Sequence, residues 1–172
     1  ESNSAFITQN DITVTDDSNN NSITINTANL GIGDYEFALD NEFGLYQDDP
    51  YFDNVAPGIR TIFIRDKNGC YTFPINVSVI GFPKYFTPNN DGLNDTWNIL
   101  GATFDFFISS EVYIFDRFGK LVAKFDTTKS NGWDGTYNGN QMLSTDYWFR
   151  ALLVDKDGNA REKSGHFSLL RH

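Results

Sequence analysis

Cysteine and long apolar runs are scarce in this chain of 172 residues. The single cysteine, Cys70, excludes an intrachain disulfide, and we expect its thiol to pack as a small buried apolar group. No apolar run approaches the roughly 18 residues that a membrane-spanning helix needs, so we expect no membrane insertion by the chain itself. The chain opens on polar residues and not on a signal peptide, which predicts a piece of a longer protein.

Histidine is also scarce, and the motifs of common catalytic sites are missing. Only His166 and His172 are present, and there is no G-x-S-x-G motif, no P-loop and no zinc-binding histidine pair. The many carboxylates stand mainly at turns, where hydrogen bonds to the backbone account for them. We therefore predict that the chain is not an enzyme.

The whole chain has a formal charge of −10, and positive charge is nearly absent from its first half. Residues 1–82 contain twelve acidic and three basic residues, whereas residues 83–172 contain eleven and ten. Such acidity cannot neutralise phosphates, which argues against a nucleic-acid partner. The charge changes beside Gly81 and Pro83, and this predicts two domains, residues 1–81 and 82–172.

Helical periodicity is absent, and short alternating runs such as DITVTD, RTIFIRD and DYWFRALLVD take its place. Alternation of β-branched and aromatic residues with polar ones is typical of strands. Three turns share a form, DKNG at 66–69, DRFG at 116–119 and DKDG at 155–158, in which Asp can accept backbone N–H bonds and Gly can supply a positive φ. The sequence predicts an all-β fold of two tandem immunoglobulin-like antiparallel β-sandwiches.

Residues 86–97, FTPNNDGLNDTW, place carboxylate and amide side chains at spacings that calcium loops use. On the EF-hand template, Asn89, Asp91 and Asp95 supply side-chain oxygens and Leu93 supplies its carbonyl oxygen. The template's first Asp and final Glu are both missing. The alternative interpretation is an Asx-rich turn without metal, so calcium is a possible cofactor and not a required one.

Aromatic residues make up 16% of the chain, and three of them are tryptophans. Trp97, Trp133 and Trp148 each fall within or beside a strand pattern, which favours packing in the core. A row of exposed rings on one sheet face would instead favour a carbohydrate-binding or adhesive β-sandwich module. This module is the alternative function.

Five ordered blocks in the second half resemble the type B C-terminal sorting domain of the type IX secretion system, also called the gliding motility-associated C-terminal domain. The blocks are FTPNNDGLNDTW (86–97), VYIFDRFG (112–119), GWDG (132–135), DYWF (146–149) and GHFSLLR (165–171). Together they cover the chain from about Phe82 to its end. One departure is Thr145-Asp146-Tyr147, where the family commonly has G-T-Y.

This resemblance implies a function and a location. Such domains direct exported proteins of gliding and related bacteria through the outer membrane and help to hold them at the bacterial cell surface. The implied partners are the type IX translocon and a PorP/SprF-like outer-membrane protein. The implied location is secreted, on the exterior of the outer membrane.

The first half is similar to a repeat module of large bacterial surface adhesins. The residues that carry this likeness are GDYEFALD (33–40), FDNVAPG (52–58) and DKNGC (66–70). The resemblance implies an immunoglobulin-like spacer or stalk in front of the sorting domain.

Basic residues in the second half indicate how a receptor could recognise the sorting domain. We expect either edge pairing with the terminal hairpin of residues 147–171 or contact with a basic surface. The candidate recognition residues are Arg150, Arg161, Lys163, Phe167, Leu169 and Arg171. The alternative is that these strands serve only the fold.

Overall fold

The computed structural model describes residues 7–69 and 71–171. They divide into two compact units, the first ending at Gly81 and the second beginning at Phe82. Cys70 and His172 lie outside the described residues, so the prediction for the Cys70 thiol stays a prediction.

Strands account for nearly all of the regular structure. The helices in the described residues are two single 3-10 turns, Gln9–Asp11 and Thr27–Asn29. Neither has the length and apolarity that a membrane-spanning helix requires. The all-β prediction is therefore confirmed.

The first unit is built from two three-stranded sheets. Its strands are β1 (Ile12–Thr15), β2 (Ser22–Ile25), β3 (Tyr35–Leu39), β4 (Tyr51–Phe52), β5 (Gly58–Asp66) and β6 (Thr72–Val79). The sheet orders are β1–β2–β4 and β3–β5–β6, and these neighbours are antiparallel. Both sheets contribute to one core, which gives a sandwich-like arrangement.

That core is mainly aliphatic. Its buried members are Ile7, Ile23, Ile25, Leu30, Phe37, Val55, Ile62, Ile64, Val77 and Val79. The β-branched side chains alternate along the strands with residues that face outward, and such side chains fit a pleated surface well.

The second unit is built around one five-stranded sheet. Its strands are β7 (Tyr85–Phe86), β8 (Phe107–Phe115), β9 (Leu121–Asp126), β10 (Thr136–Tyr137), β11 (Asn140–Gln141), β12 (Asp146–Asp155) and β13 (Ala160–Leu169). The main sheet has the order β7–β13–β12–β8–β9, while β10 and β11 form a separate ribbon. One pair differs from the antiparallel expectation, because β7 runs parallel to β13. These two strands lie far apart in sequence, so no hairpin dictates their direction.

The three predicted turns all close hairpins or strand connections. In each, the Asp side chain accepts an N–H bond from the residue two positions later, at 2.9–3.0 Å. Gly119 and Gly158 have positive φ values of 81° and 85°, but Gly69 does not have a positive φ. The aspartate is therefore the feature common to the three turns.

Candidate functional site

The inner face of the five-stranded sheet carries a group of aromatic rings, which we call the aromatic cluster. Its members are Phe82, Phe86, Trp97, Trp133, Tyr147, Phe149 and Phe167. The Trp97 and Phe167 ring centroids are 4.3 Å apart and stacked, and Trp133 meets Tyr147 edge-on at 4.9 Å. Trp97 and Trp133 are buried, which confirms their interpretation as core residues.

Polar atoms at the rims of these rings donate to backbone carbonyl oxygens. The pairs are Trp97 Nε1 with Pro83 O (2.8 Å), Trp133 Nε1 with Thr136 O (2.9 Å) and Tyr147 Oη with Leu143 O (2.9 Å). A buried N–H or O–H without a partner costs about 1–3 kcal/mol. Each of the three rings is thus bonded to one particular loop as well as packed against its neighbours.

A backbone bridge joins two of the sequence blocks at Trp97 and Trp133. The Trp97 N–H donates to the Trp133 oxygen at 2.8 Å, and the Trp133 N–H donates to the Trp97 oxygen at 3.0 Å. Gly132 lies against this bridge with a φ of 105°, and a Cβ there would be 2.3 Å from the Trp97 oxygen. The aromatic cluster therefore requires a glycine at this position.

Arg171, the basic residue of the last block, is bonded to loops of its own unit. Its Nε donates to Met142 O at 2.9 Å, and its Nη2 donates to Gly135 O at 2.9 Å. Burial raises the pKa of the Tyr147 phenol, and the nearby Arg171 charge acts against that rise. Because the guanidinium already binds two carbonyl oxygens, Arg171 has a structural role in the folded unit.

Asp95 organises the loop of residues 86–97. Its Oδ1 accepts the N–H groups of Asn89 (3.1 Å) and Asn90 (2.8 Å), and its Oδ2 accepts that of Gly92 (2.8 Å). Partial burial acts to raise the pKa of the Asp95 carboxyl, but these N–H groups outweigh it and hold the pKa below its ordinary value.

The other predicted calcium ligands also bond within the loop. Asn89 Oδ1 accepts the Asp91 N–H at 3.1 Å, and Asp91 Oδ1 accepts the Leu93 N–H at 2.8 Å. The described residues contain no group of three His, Cys, Asp or Glu side chains that could hold a metal ion. These bonds explain the turn without a metal, and calcium binding by Asn89, Asp91, Leu93 and Asp95 stays a prediction.

Two of the candidate recognition residues lie in the core. Phe167 and Leu169 are 1% and 0% exposed. The folded unit covers both side chains, because they point from β13 toward the aromatic cluster. Neither side chain is at the surface of the folded unit, and their assignment as receptor contacts stays a prediction.

The four basic candidates do not share one face. Arg150 is directly opposite Ser164 across β12 and β13, so it lies on the other side of the sheet from Arg161 and Lys163. Arg150 also forms a salt bridge with Glu162 at 2.7 Å on that outer side. Arg150, Arg161 and Lys163 therefore do not form one basic surface on the folded unit.

Among the described residues, no strand pairs with the outer edge of β13 along most of its length. The Ser168 N–H donates toward β7, to Lys84 O at 2.9 Å, whereas the Leu169 N–H donates on the β12 side, to Thr145 O at 3.0 Å. Backbone groups alternate in this way along a strand. The residues whose N–H and C=O groups face the open edge are Ala160, Glu162, Ser164 and His166. In the described part of the chain, β7 pairs with β13 only at Ser168 and Leu169.

The outer face of the five-stranded sheet carries two adjoining rows of side chains. The row that we call the aromatic row consists of the rings of His166, Trp148 and Phe115 and ends at Leu121, with one residue from each of four adjacent strands. The polar row beside it is Ser164, Arg150, Tyr113 and Lys124. Trp148 is 43% exposed. The expectation that Trp148 packs in the core is wrong, because it alternates with Tyr147 and Phe149, which fill the inner face.

Sequence reasoning proposed edge pairing with the terminal hairpin but did not identify which of its strands has the unpaired edge, and it missed both outer rows. A signal for Trp148 was present, because strict alternation in DYWF places its ring opposite its two aromatic neighbours. The rows themselves depend on which residues of β8, β9 and β13 stand beside β12. That register is set by tertiary packing and is not readable from one strand alone.

A family model described as the CHU_C Type IX secretion signal domain matches residues 80–169. The match spans more than half of the chain and includes the aromatic cluster, the loop of residues 86–97 and the terminal hairpin. The chain belongs to the type IX secretion signal domain family. The resemblance carried by the five blocks is therefore confirmed, and this signal domain belongs to a family whose role is sorting and not catalysis.

Three solved structures are similar to the chain that carries this signal domain. Dimeric latent PorU from Porphyromonas gingivalis is 14% identical to this chain, with a TM-score of 0.34, and the match covers 94% of this chain and 20% of the PorU chain. The BSP domain of a biofilm-associated protein is 15% identical, with a TM-score of 0.31, and the match covers 93% of this chain and 29% of that one.

The third is a tetra-tandem repeat in the extending region of a large adhesion protein. It is 18% identical to this chain, with a TM-score of 0.27, and the match covers 93% of this chain and 49% of that one. The chain therefore spans less than half of the length of these three structures. No curated protein matches the chain.

Proposed function

We propose that the second unit directs export of the protein that carries it through the type IX translocon, and then retains that protein at the cell surface. The observation that carries this proposal is the signal-domain match over residues 80–169. A signal of this family implies contact with the type IX secretion machinery. Within that machinery, we propose a PorP/SprF-like outer-membrane protein as the partner.

We propose that the open edge of β13 is the recognition element. Its outward backbone groups, at alternate residues from Ala160 to His166, offer a row of donors and acceptors to an added strand. Strand addition to an exposed edge is a common way of binding an extended segment. The basic candidates supply no joint surface, and this supports edge pairing over a purely electrostatic contact.

The first unit fits the role of a spacer in front of the signal domain. Its aliphatic core draws on both of its sheets, and its sequence is strongly acidic. Like charges of this density favour solubility and disfavour self-association. We propose no catalytic role for either unit.

The test is a secreted reporter fused ahead of the 172-residue chain and expressed in a bacterium that has a type IX system. The edge variant is Ser164→Pro, which removes an outward N–H that β12 does not use. Proline is tolerated on edge strands where the N–H faces solvent. The matched control, Ser164→Ala, changes the same side chain and keeps the N–H.

We expect the wild type and Ser164→Ala to reach the cell surface, and Ser164→Pro to accumulate inside the cell while showing the wild-type melting temperature. Normal display of a folded Ser164→Pro variant would reject edge recognition but leave the export role intact. Failure of the wild-type fusion to leave the cell would reject the export role itself. Deletion of residues 165–172 is a poorer test, because it also removes Phe167 and Leu169 from the core.

A further inference from the structure

We propose that the outer face of the five-stranded sheet binds a neutral glycan. The aromatic row and the polar row lie side by side on this face, and the inner core does not need either of them. The inference is independent of the export role, because it concerns the face and not the edge of the sheet.

The aromatic row offers a platform for the apolar face of a sugar ring. His166 and Phe115 stand directly across from Trp148 on its two neighbouring strands, and the Trp148 and His166 ring centroids are 6.4 Å apart. The Trp148 side chain stays 43% exposed. Pyranose rings present C–H groups on their faces, and these pack against the negative face of an aromatic ring.

The polar row supplies the hydrogen bonds that sugar hydroxyls require. A groove of about 310 Å³ includes part of the polar row and shares Phe115 with the aromatic row. Its lining is Glu111, Tyr113, Phe115, Arg150, Leu152 and Glu162. The Arg150 guanidinium and the Glu162 carboxylate are 2.7 Å apart and form a donor and acceptor pair. A hydroxyl both donates and accepts, so one sugar hydroxyl can bond with both groups at once.

Charge on this face favours a neutral ligand. Arg150 and Lys124 are matched by Glu162 and Glu111, and the Tyr113 hydroxyl donates to Glu111 at 3.4 Å. Asp126 and Asp146 lie on the same face and add negative charge. The face therefore has no excess of positive charge to attract a polyanion such as nucleic acid or an acidic polysaccharide. Apolar rings beside paired charges are typical of sites that fix an uncharged ligand by a few directed polar groups.

The experiment presents the 172-residue chain to an immobilised panel of neutral and acidic plant and microbial glycans. Affinity electrophoresis in gels that contain soluble β-glucan, α-mannan or galactomannan then measures the dissociation constant of a hit. The variants are Trp148→Ala and Arg150→Ala. The control is Phe118→Ala, which removes an 81% exposed ring at the β8–β9 turn, where Phe118 lines a different groove with Met142, Leu143 and Tyr147.

We expect binding to one class of neutral glycan, weakened about tenfold by Trp148→Ala, as the loss of one stacking contact predicts. Arg150→Ala should weaken it similarly, and Phe118→Ala should leave it unchanged. Melting curves check that every variant is folded, and Trp148→Phe should restore part of the affinity. Binding of no neutral glycan on the panel would overturn the proposal, and so would binding that Trp148→Ala and Arg150→Ala leave unchanged.

Discussion

The two units of the chain fill their cores in different ways. The first is mainly aliphatic, and Phe37 is the one ring among the buried members of its described core, although partly buried rings also pack against it. The second combines the seven rings of the aromatic cluster with buried aliphatic side chains such as Val112, Ile114 and Leu153. Aliphatic side chains of similar volume replace one another at a modest cost in stability. A buried ring whose N–H or O–H donates a hydrogen bond must instead lie beside one particular acceptor.

This difference explains why the two halves carry such different sequence signals. In the second unit, separate blocks must each supply a ring, a carbonyl partner or a glycine to the same cluster, so the blocks are distinctive and ordered. In the first unit, many combinations of Ile, Val and Leu fill the same space. The likeness of residues 1–81 to adhesin repeats is looser for this reason, and their assignment as a spacer stays a proposal.

The largest expected effect comes from breaking the aromatic cluster at its centre. Trp97 is 0% exposed and contacts Phe149 and Phe167. We expect Trp97→Ala to lower the free energy of unfolding of the second unit by about 3–5 kcal/mol. Denaturant titration followed by tryptophan fluorescence measures this loss, because all three tryptophans lie in the second unit.

Trp148→Ala is the matched control, since it removes the same side chain from the outer face. We expect it to cost less than about 1 kcal/mol, as is usual for substitutions outside the core. Equal losses for Trp97→Ala and Trp148→Ala would contradict the division into an inner core and an outer face.

The next effect comes from the close approach at Gly132. A Cβ there would meet the Trp97 oxygen at 2.3 Å, and the φ of 105° is strained for any other residue. We expect Gly132→Ala to cost about 2–4 kcal/mol, which combines strain with loss of the Trp97–Trp133 bridge. The same denaturant titration measures it.

Gly158→Ala separates these two causes. Gly158 also has a positive φ, of 85°, but a Cβ there would meet nothing within 4 Å. We expect only the conformational cost of about 1–2 kcal/mol. If Gly158→Ala were as costly as Gly132→Ala, backbone strain alone would explain both, and the bridge would add nothing.

A conservative change in the core of the first unit should lower the free energy of unfolding by less than Gly132→Ala or Gly158→Ala does. Ile62 is fully buried on β5. We expect Ile62→Val to lower the free energy of unfolding of the first unit by about 0.5–1.5 kcal/mol, because one methylene is lost from a core that can partly relax. Tyrosine fluorescence or circular dichroism follows this unit, since it contains no tryptophan. A loss above about 3 kcal/mol would show that the aliphatic core tolerates substitution as poorly as the aromatic cluster does.

Sequence alone was sufficient for the class of fold, the turns and the burial of Trp97 and Trp133, because alternation, Asx chemistry and ring size act locally. It was not sufficient for the parallel pairing of β7 with β13, which depends on contacts between strands that are distant in sequence. Alternation in DYWF places Trp148 opposite Tyr147 and Phe149, but which of the two faces is buried depends on how the whole unit packs. The role of Arg171 was also hidden, since its carbonyl partners lie far back along the chain, at Gly135 and Met142.

The ionisation of Asp95 makes the stability of the second unit depend on pH. Its folded pKa lies below the ordinary value of 3.8, so the ionised carboxyl stabilises the second unit above about pH 4, and this contribution is lost as the pH falls through the folded pKa. We expect Asp95→Asn to lower the melting temperature at pH 7, because an amide cannot accept all three N–H bonds. The difference from wild type should shrink as the pH is lowered to about 2.

Asp157→Asn is the control for this prediction. It removes one negative charge, as Asp95→Asn does, but at the exposed β12–β13 turn. It therefore leaves the hydrogen bonds of the loop of residues 86–97 intact. We expect it to follow the wild-type melting temperature at every pH. A gap between Asp95→Asn and wild type that stayed constant down to about pH 2 would mean that the carboxylate charge is not what organises the loop.

The smallest expected effect is that of calcium on the same loop. An ion at Asn89, Asp91, Leu93 and Asp95 would have to compete with three N–H groups that already bind the Asp95 carboxylate. We therefore expect a dissociation constant no tighter than about 10⁻⁴–10⁻³ M by calorimetric titration, as in extracellular calcium modules, and no heat from Asp91→Ala. Absence of heat from the wild type would remove the calcium prediction. A dissociation constant below about 10⁻⁶ M would instead mean that the loop rearranges around the ion and gives up its N–H bonds to Asp95.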